Sequence, residues 1–279
     1  MRLSFNHGKG IRGGGSPLGG LLCRAVLLAL LVSGCTTLPK KESARWVDPR
    51  ITQERFQADR QQRLDRLHRW QVSGVLEVIT ERGSRRYRTE IRGEAAQQAR
   101  VSLLGLMQQV VAVLFAGSQE IRLVDAEKQR IVEVPASAEG LNHLIGIGLQ
   151  PEELLEAMIG LAGELTERET DISNGWLTRM GERLVLDPET GLMQERSGQT
   201  EAGGSYRVVY QWPEAVDKSS LPMPAHIQVV LLPGGTEVNY TAHQWQMVDK
   251  PFAANWFSAL ELYAGFAVER PFQDRAQPQ

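Results

Sequence analysis

Few residues of this 279-residue chain have the types and spacing that chemistry needs. The five histidines, His7, His68, His143, His226 and His243, are scattered. None stands in a His-x-x-x-His pair or at carboxylate spacing, so no metal set is spelled out. His226 and His243 fall on segments that can be neighbouring strands, where a hydrogen-bonded histidine is the expected outcome. Gly8, Gly10 and Gly13 have the glycine spacing of a dinucleotide loop, but no strand precedes them. There is no Gly-x-Ser-x-Gly elbow and no Ser-x-x-Lys pair. No enzyme, metal or cofactor is therefore expected. What remains is a thiol: of the two cysteines, Cys23 and Cys35, the second stands two small residues beyond an apolar run.

That setting decides its chemistry. Residues up to Arg24 carry Arg2, Lys9, Arg12 and Arg24 and no acid, then run into Ala25–Val32 and Ser33-Gly34-Cys35. A positive flank, a short apolar core and small residues before a cut site predict a signal peptide over 1–34. The core is too short to span a bilayer, which takes about 20 apolar residues. Val32-Ser33-Gly34-Cys35 resembles the lipobox of bacterial lipoproteins. The resemblance implies acylation of Cys35 and cleavage in front of it. Several acyl chains, at roughly 0.8 kcal/mol per buried CH₂, hold a protein firmly on a membrane. Thr36, where inner-membrane retention would place Asp, implies the outer membrane. The expectation is a lipid-anchored protein facing the periplasm.

Composition narrows the partners. The chain has 31 Lys and Arg against 33 Asp and Glu; without the four bases of the leader, 27 remain, a net of −6. An acidic chain with no basic run is a poor partner for nucleic acid. With Cys23 lost and Cys35 acylated, no disulfide is available, and packing alone must hold the fold.

Residues 35–47 read as a lipidated N-terminus and polar tether. Asp48–Arg69 has a thin apolar stripe of Val47, Ile51, Phe56, Leu64 and Leu67, which predicts a surface helix. Strands are predicted over Trp70–Thr80, Arg86–Arg92, Ala99–Leu104, Gln109–Phe115, Glu120–Val124 and Arg130–Val134, joined by short turns as an antiparallel meander. Leu141, Leu144 and Ile145 mark one helix; Pro151 opens another, lined by Leu154, Leu155, Met158 and Ile159 and stopped at Gly160. Strands resume at Trp176–Met180, Arg183–Leu186, Leu192–Glu195, Tyr206–Trp212, His226–Leu232 and Glu237–Val248. A last helix is predicted over Ala253–Tyr263, with Phe252, Trp256, Leu260 and Tyr263 on one side, before a loose Pro271–Gln279. Strands segregated from helices predict an α+β layer.

Several segments, in order, resemble the LolB-type outer-membrane lipoproteins of the LolA/LolB superfamily. They are Leu67-His68-Arg69-Trp70-Gln71-Val72-Ser73-Gly74, Ile121–Asp125, Leu154–Gly163, Tyr206–Tyr210, Leu221-Pro222-Met223-Pro224-Ala225-His226-Ile227 and the closing Trp245. The resemblance covers 48–250. It implies an incomplete, strongly curved antiparallel β-barrel capped by helices, with an apolar cavity. It also implies a non-enzymatic function: accepting acylated lipoproteins from a periplasmic LolA-like carrier and inserting them into the outer membrane.

In that family an apolar side chain protrudes from a loop in a Pro-Leu-Gly context. Leu103-Leu104-Gly105-Leu106-Met107 stands in its place without the proline, making Leu104, Leu106 and Met107 the candidate membrane-insertion loop. Strand alternation on an incompletely filled barrel makes Val101, Leu103, Val111, Val113, Met158, Val208 and Val229 the candidate cavity lining. The divergent loop and the segment 251–279 leave a second reading open. It is a LolB-like lipid-binding accessory or scaffolding lipoprotein with a different acylated cargo, its tail helix a lid or a partner site through Trp256 and Phe257.

Overall fold

The computed structural model describes residues 47–272 apart from Arg82, 170–173, Ala202 and 214–220. The signal peptide, Cys35, the tether as far as residue 46 and the last residues from 273 lie outside the described residues.

The polar helix forms as α1 (Pro49–Arg66). Asp48 caps it by accepting from the Arg50 amide at 2.9 Å, and Pro49 sits at its first turn, where a missing N–H costs nothing. Its buried face differs from the apolar stripe. Ile51 and Leu64 are exposed, whereas Thr52, Phe56 and Arg63 are buried and Leu67 follows them inward. The helix packs through a mixed face because an arginine there finds carbonyl partners.

Among the described residues fourteen strands make one sheet that does not close on itself. They are β1 (Arg69–Thr80), β2 (Gly83–Glu94), β3 (Gln98–Leu104), β4 (Val110–Ala116), β5 (Glu120–Asp125), β6 (Arg130–Pro135), β7 (Leu165–Arg168), β8 (Gly175–Thr178), β9 (Arg183–Leu186), β10 (Met193–Gln199), β11 (Ser205–Gln211), β12 (His226–Leu232), β13 (Glu237–Met247) and β14 (Ala267–Glu269). The order is β14-β6-β5-β4-β3-β2-β1-β13-β12-β11-β10-β9-β8-β7. Every pairing is antiparallel except β14 with β6. The architecture is α+β, a curved, unclosed sheet with helices on it. Between β6 and β7 come α2 (Ala138–Ile145) and α3 (Pro151–Met158). Ser137 caps α2, accepting from the Gly140 amide at 3.1 Å, and Gly146 ends it in the left-handed region.

Trp70 anchors the middle of the sheet. It is fully buried, its Nε1 donates to the Ala95 carbonyl at 2.9 Å, and its ring lies 5.7 Å from that of Trp245. Its bulk demands an absence opposite: a Cβ on Gly93 would stand 2.3 Å from Cζ2 of Trp70. Replacing such a buried tryptophan by alanine costs about 3–5 kcal/mol.

The chain beyond β13 corrects the predicted helix over Ala253–Tyr263. It forms a 3-10 turn (Ala254–Phe257) and a single helical turn, α4 (Ala259–Leu262), separated at the extended Ser258. The Trp256 ring lies under the guanidiniums of Arg92 and Arg100, at 4.0 and 4.9 Å. Tyr263 and Phe266 then pack on Val113, Phe115, Val124 and Ile131, and the chain ends as β14 on the edge of β6. Arg270 donates to Glu133 at 2.7 Å, and Arg130 pairs with Glu269 at 3.3 Å. Phe272, within the stretch predicted to be loose, meets His143 edge to face at 5.5 Å.

Candidate functional site

Between the sheet and the two covering helices lies an apolar cavity of about 180 Å³. From β1 come Leu76 and Val78, from β2 Tyr87 and Ile91, and from β3 Ala99, Val101 and Leu103. Leu114 and Ala116 of β4, Leu123 of β5, and Val238 and Tyr240 of β13 continue the wall. The helices close the other side with Leu141 and Ile145 of α2 and Leu154, Leu155 and Met158 of α3, which share one face by their i, i+3, i+4 spacing. The only polar atoms these side chains own are two tyrosyl hydroxyls. An apolar cavity of roughly 150 Å³ stays dry and takes hydrocarbon, so this one can hold a segment of an acyl chain without any directional contact.

The antiparallel order puts the turns from β1 to β2, β3 to β4, and β12 to β13 at one end of the sheet, toward which the cavity wall runs through Val78, Tyr87 and Leu103. Leu76, Val78, Tyr87 and Leu103, toward that end, are only half-buried. The turn between β3 and β4 stands at this end. It is tight: the Gly105 amide donates to the Gln109 carbonyl at 2.8 Å, and the Met107 amide to Gln109 Oε1 at 3.0 Å. At its tip Leu106 and Met107 are 102% and 88% exposed, while Leu104 is half-buried at the end of β3. Two large apolar side chains are thus held outward, side by side, at the tip of the turn.

Of the candidate lining residues, Val101, Leu103 and Met158 border the cavity. The others stand elsewhere. Val113 is on the opposite face of the sheet, beneath Tyr263 and Phe266. Val111 is the extra residue of a bulge, because Leu103 pairs with Ala112 and Leu104 with Val110. Val208 and Val229 pair across β11 and β12 and are almost wholly buried, but in the filled core away from the cavity. Tryptophan 256 is engaged by two arginines rather than presented to a partner. His226 pairs in register with Thr241, its Nδ1 3.1 Å from the threonine hydroxyl, so His243 is not its neighbour. Among the described residues no group of histidines and carboxylates could hold a metal, and no helix is long and apolar enough to cross a membrane.

Three arginines hold the chain that leaves α3, and sequence periodicity did not single them out. Arg63 Nη1 donates to the Ile159 carbonyl at 2.9 Å, Arg196 Nη1 to Leu161 at 3.1 Å, and Arg60 Nε to Ala162 at 2.9 Å. These are orphan acceptors past a helix C-terminus, where positive charge is favoured. Arg63 also pairs with Asp59 at 2.6 Å and donates to the Pro222 carbonyl at 2.7 Å. Arg196 pairs with Glu182 at 2.6 Å and with Glu156 of α3 at 3.3 Å. Burial works against the charge of Arg196, but Glu182 and its neighbours hold it protonated. Burial pushes Glu156 above the usual carboxylate range, with Arg196 pulling the other way. Tyr206 is pushed up by burial as well, and donates its hydroxyl to Glu182.

Comparison with known proteins adds two findings. The chain is 27% identical over 182 residues to the outer-membrane lipoprotein LolB of Aeromonas salmonicida (strain A449), covering 64% of this chain and 77% of that one. No family model matches it. The fold is shared with a domain from Vibrio parahaemolyticus assigned to outer-membrane lipoprotein sorting, at a TM-score of 0.52 and 8% identity, over 77% of this chain and all of that one. It is shared equally with a DUF1329 family protein from Desulfovibrio piger, at a TM-score of 0.53 and 6% identity, over 77% of this chain and 99% of that one.

Proposed function

We propose, for a chain that is LolB-like in sequence and has the fold of the LolA/LolB superfamily, that it receives acylated lipoproteins from a soluble periplasmic carrier and inserts them into the outer membrane. The observation that supports this reading is the apolar cavity whose wall runs toward the end of the sheet where Leu106 and Met107 protrude. The acyl chains of the cargo enter the cavity against hydrocarbon walls, with no covalent step. The protein hangs from the outer membrane, on its periplasmic side, by lipid on Cys35. The turn at Leu106 and Met107 enters the bilayer and brings the mouth to the lipid surface. Direction follows from affinity alone: the carrier holds the acyl chains less tightly than this cavity, and the bilayer holds them most tightly of all.

The test is transfer in a reconstituted system. A carrier loaded with a radiolabelled lipoprotein is mixed with vesicles, with and without this protein. Cargo should appear in the vesicles only when the protein is present, and the paired substitution Leu106→Glu with Met107→Glu should abolish vesicle delivery while leaving cargo pick-up intact. Delivery that proceeds equally well with the doubly substituted protein contradicts the role of the turn.

A further inference from the structure

The rim that carries Leu106 and Met107 also carries charge. On β2, Arg85, Arg86 and Arg88 are exposed, and among the described residues none of them makes an ion pair or hydrogen bond. Arg85 pairs in register with Val78 of the cavity wall, and Arg88 with Leu104, the last residue before the apolar turn. Strand alternation puts Arg85 on the inner face with Val78 and Tyr87, and Arg86 and Arg88 on the outer face, so the guanidiniums border both sides of the end from which the turn protrudes.

Elsewhere on the sheet most exposed arginines are matched, Arg168 of β7 being an exception among the described residues. Arg179 pairs with Glu164, Arg183 with Glu169 and Arg207 with Glu195. Among the described residues the acids of the end that bears the turn make no ion pair with these three arginines. Glu77, opposite Arg86, accepts from the Ser84 hydroxyl at 2.8 Å. Glu237 accepts from Gln228 and Asn239, and Asp125 pairs with Lys128 at 3.3 Å. Glu81, Glu127 and Glu201 are exposed in the turns of that end. Arg86 and Arg88 share the outer face and Arg85 the inner one; although Glu77 stands opposite Arg86, none of the three is held in an ion pair among the described residues, and an external anion eases the repulsion between them.

We infer that this end of β2 is a headgroup site: the guanidiniums of Arg85, Arg86 and Arg88 seat on the phosphates of an anionic bilayer while Leu106 and Met107 enter its acyl region. The inference rests on the proposed function and names the surface on which it operates. A guanidinium matches phosphate with paired donors. Apolar side chains bordered by arginines suit the boundary between headgroups and hydrocarbon. An acidic protein partner would satisfy the charges, but a protruding turn tip gives it no groove in which to bury a matched area.

The test uses the mature chain from residue 35 with Cys35→Ala, so that neither leader nor anchor dominates, floated with vesicles of phosphatidylcholine alone or mixed with phosphatidylglycerol. Binding to the anionic vesicles should exceed binding to the neutral ones and fall with added salt. Arg85→Gln, Arg86→Gln and Arg88→Gln combined should weaken it on the order of a hundredfold, about fivefold for each arginine removed, with an unchanged circular dichroism spectrum. Equal binding to the two vesicle types, or an unweakened triple variant, overturns the inference. So does a triple variant that binds vesicles normally but fails to take cargo from the carrier, which assigns the arginines to an acidic protein. The proposed function fails by a different result, delivery unaffected by Leu106→Glu with Met107→Glu.

Discussion

Arg63, on the long first helix, donates from Nη1 to the carbonyl oxygen of Ile159, 96 positions away in sequence, at 2.9 Å. The end of the second cap helix is thereby tied to the first helix from the interior. Arg63→Met removes a buried charge partner of Asp59 and leaves the Ile159 and Pro222 carbonyls without their donor. It should lower the unfolding free energy by about 3–5 kcal/mol, read by urea denaturation. Arg63→Lys should recover only part of this, since an ammonium cannot reproduce the forked contacts. Equal stability of wild type and Arg63→Met would show that the tie contributes nothing.

Filling the cavity should separate binding from folding. Leu114 borders the cavity from β4 and is half-buried. Leu114→Trp adds bulk into open space, so the fold should lose no more than about 1–3 kcal/mol. Affinity for a fluorescent fatty acid should fall at least about tenfold, because each CH₂ kept out forgoes roughly 0.8 kcal/mol. The same substitution at Val113, on the opposite face, should leave that affinity unchanged. Titrations of both variants decide the matter.

The face on which these two neighbours sit was not legible in the sequence, for a physical reason. Val110-Val111-Ala112-Val113-Leu114-Phe115-Ala116 has no alternation, because both faces of β4 are covered: one by the cavity helices, the other by Tyr263 and Phe266. Where one face meets water, as on β2 with Arg86 and Arg88, the period-two pattern gave strand and facing together. Leu154 and Met158 were equally legible from helical spacing. The edge strand β14 was not, since Ala267-Val268-Glu269 is three residues long and defined by its parallel neighbour. Nor were Arg63 and Arg196, whose burial depends on carbonyls and carboxylates distant in the chain.

Acid should loosen the C-terminal segment before the rest. Burial pushes the Glu133 carboxyl up, but hydrogen bonds from Arg270 and Arg122 hold it, on balance, below the usual carboxylate range. A carboxyl with a depressed native pKa stabilises the fold fully above the ordinary carboxylate range, and that stabilisation is lost as the pH falls from there through the depressed native pKa. The Ala267 amide, which donates to the Gln129 carbonyl at 3.1 Å, should exchange faster as the pH is lowered, after correction for intrinsic exchange. In Glu133→Gln it should exchange faster already at neutral pH. Protection that is indifferent to both pH and this substitution contradicts the assignment.

Gly93→Ala tests the seat of Trp70. The new Cβ would meet the tryptophan ring at 2.3 Å, between strands that cannot part. A loss of about 1–3 kcal/mol or more is expected from overpacking, seen as a lowered thermal midpoint. An unchanged midpoint would mean the ring has room to move.

The central claim is that acyl chains occupy the cavity between the sheet and the two cap helices. Photo-crosslinking with an acylated peptide that carries a diazirine at the far end of its chain, followed by mass-spectrometric mapping, tests it most directly. Adducts should fall on Leu114, Leu154 and Met158 and disappear from the Leu114→Trp variant. Adducts confined to exposed side chains such as Met180, or unaltered by filling the cavity, would contradict it.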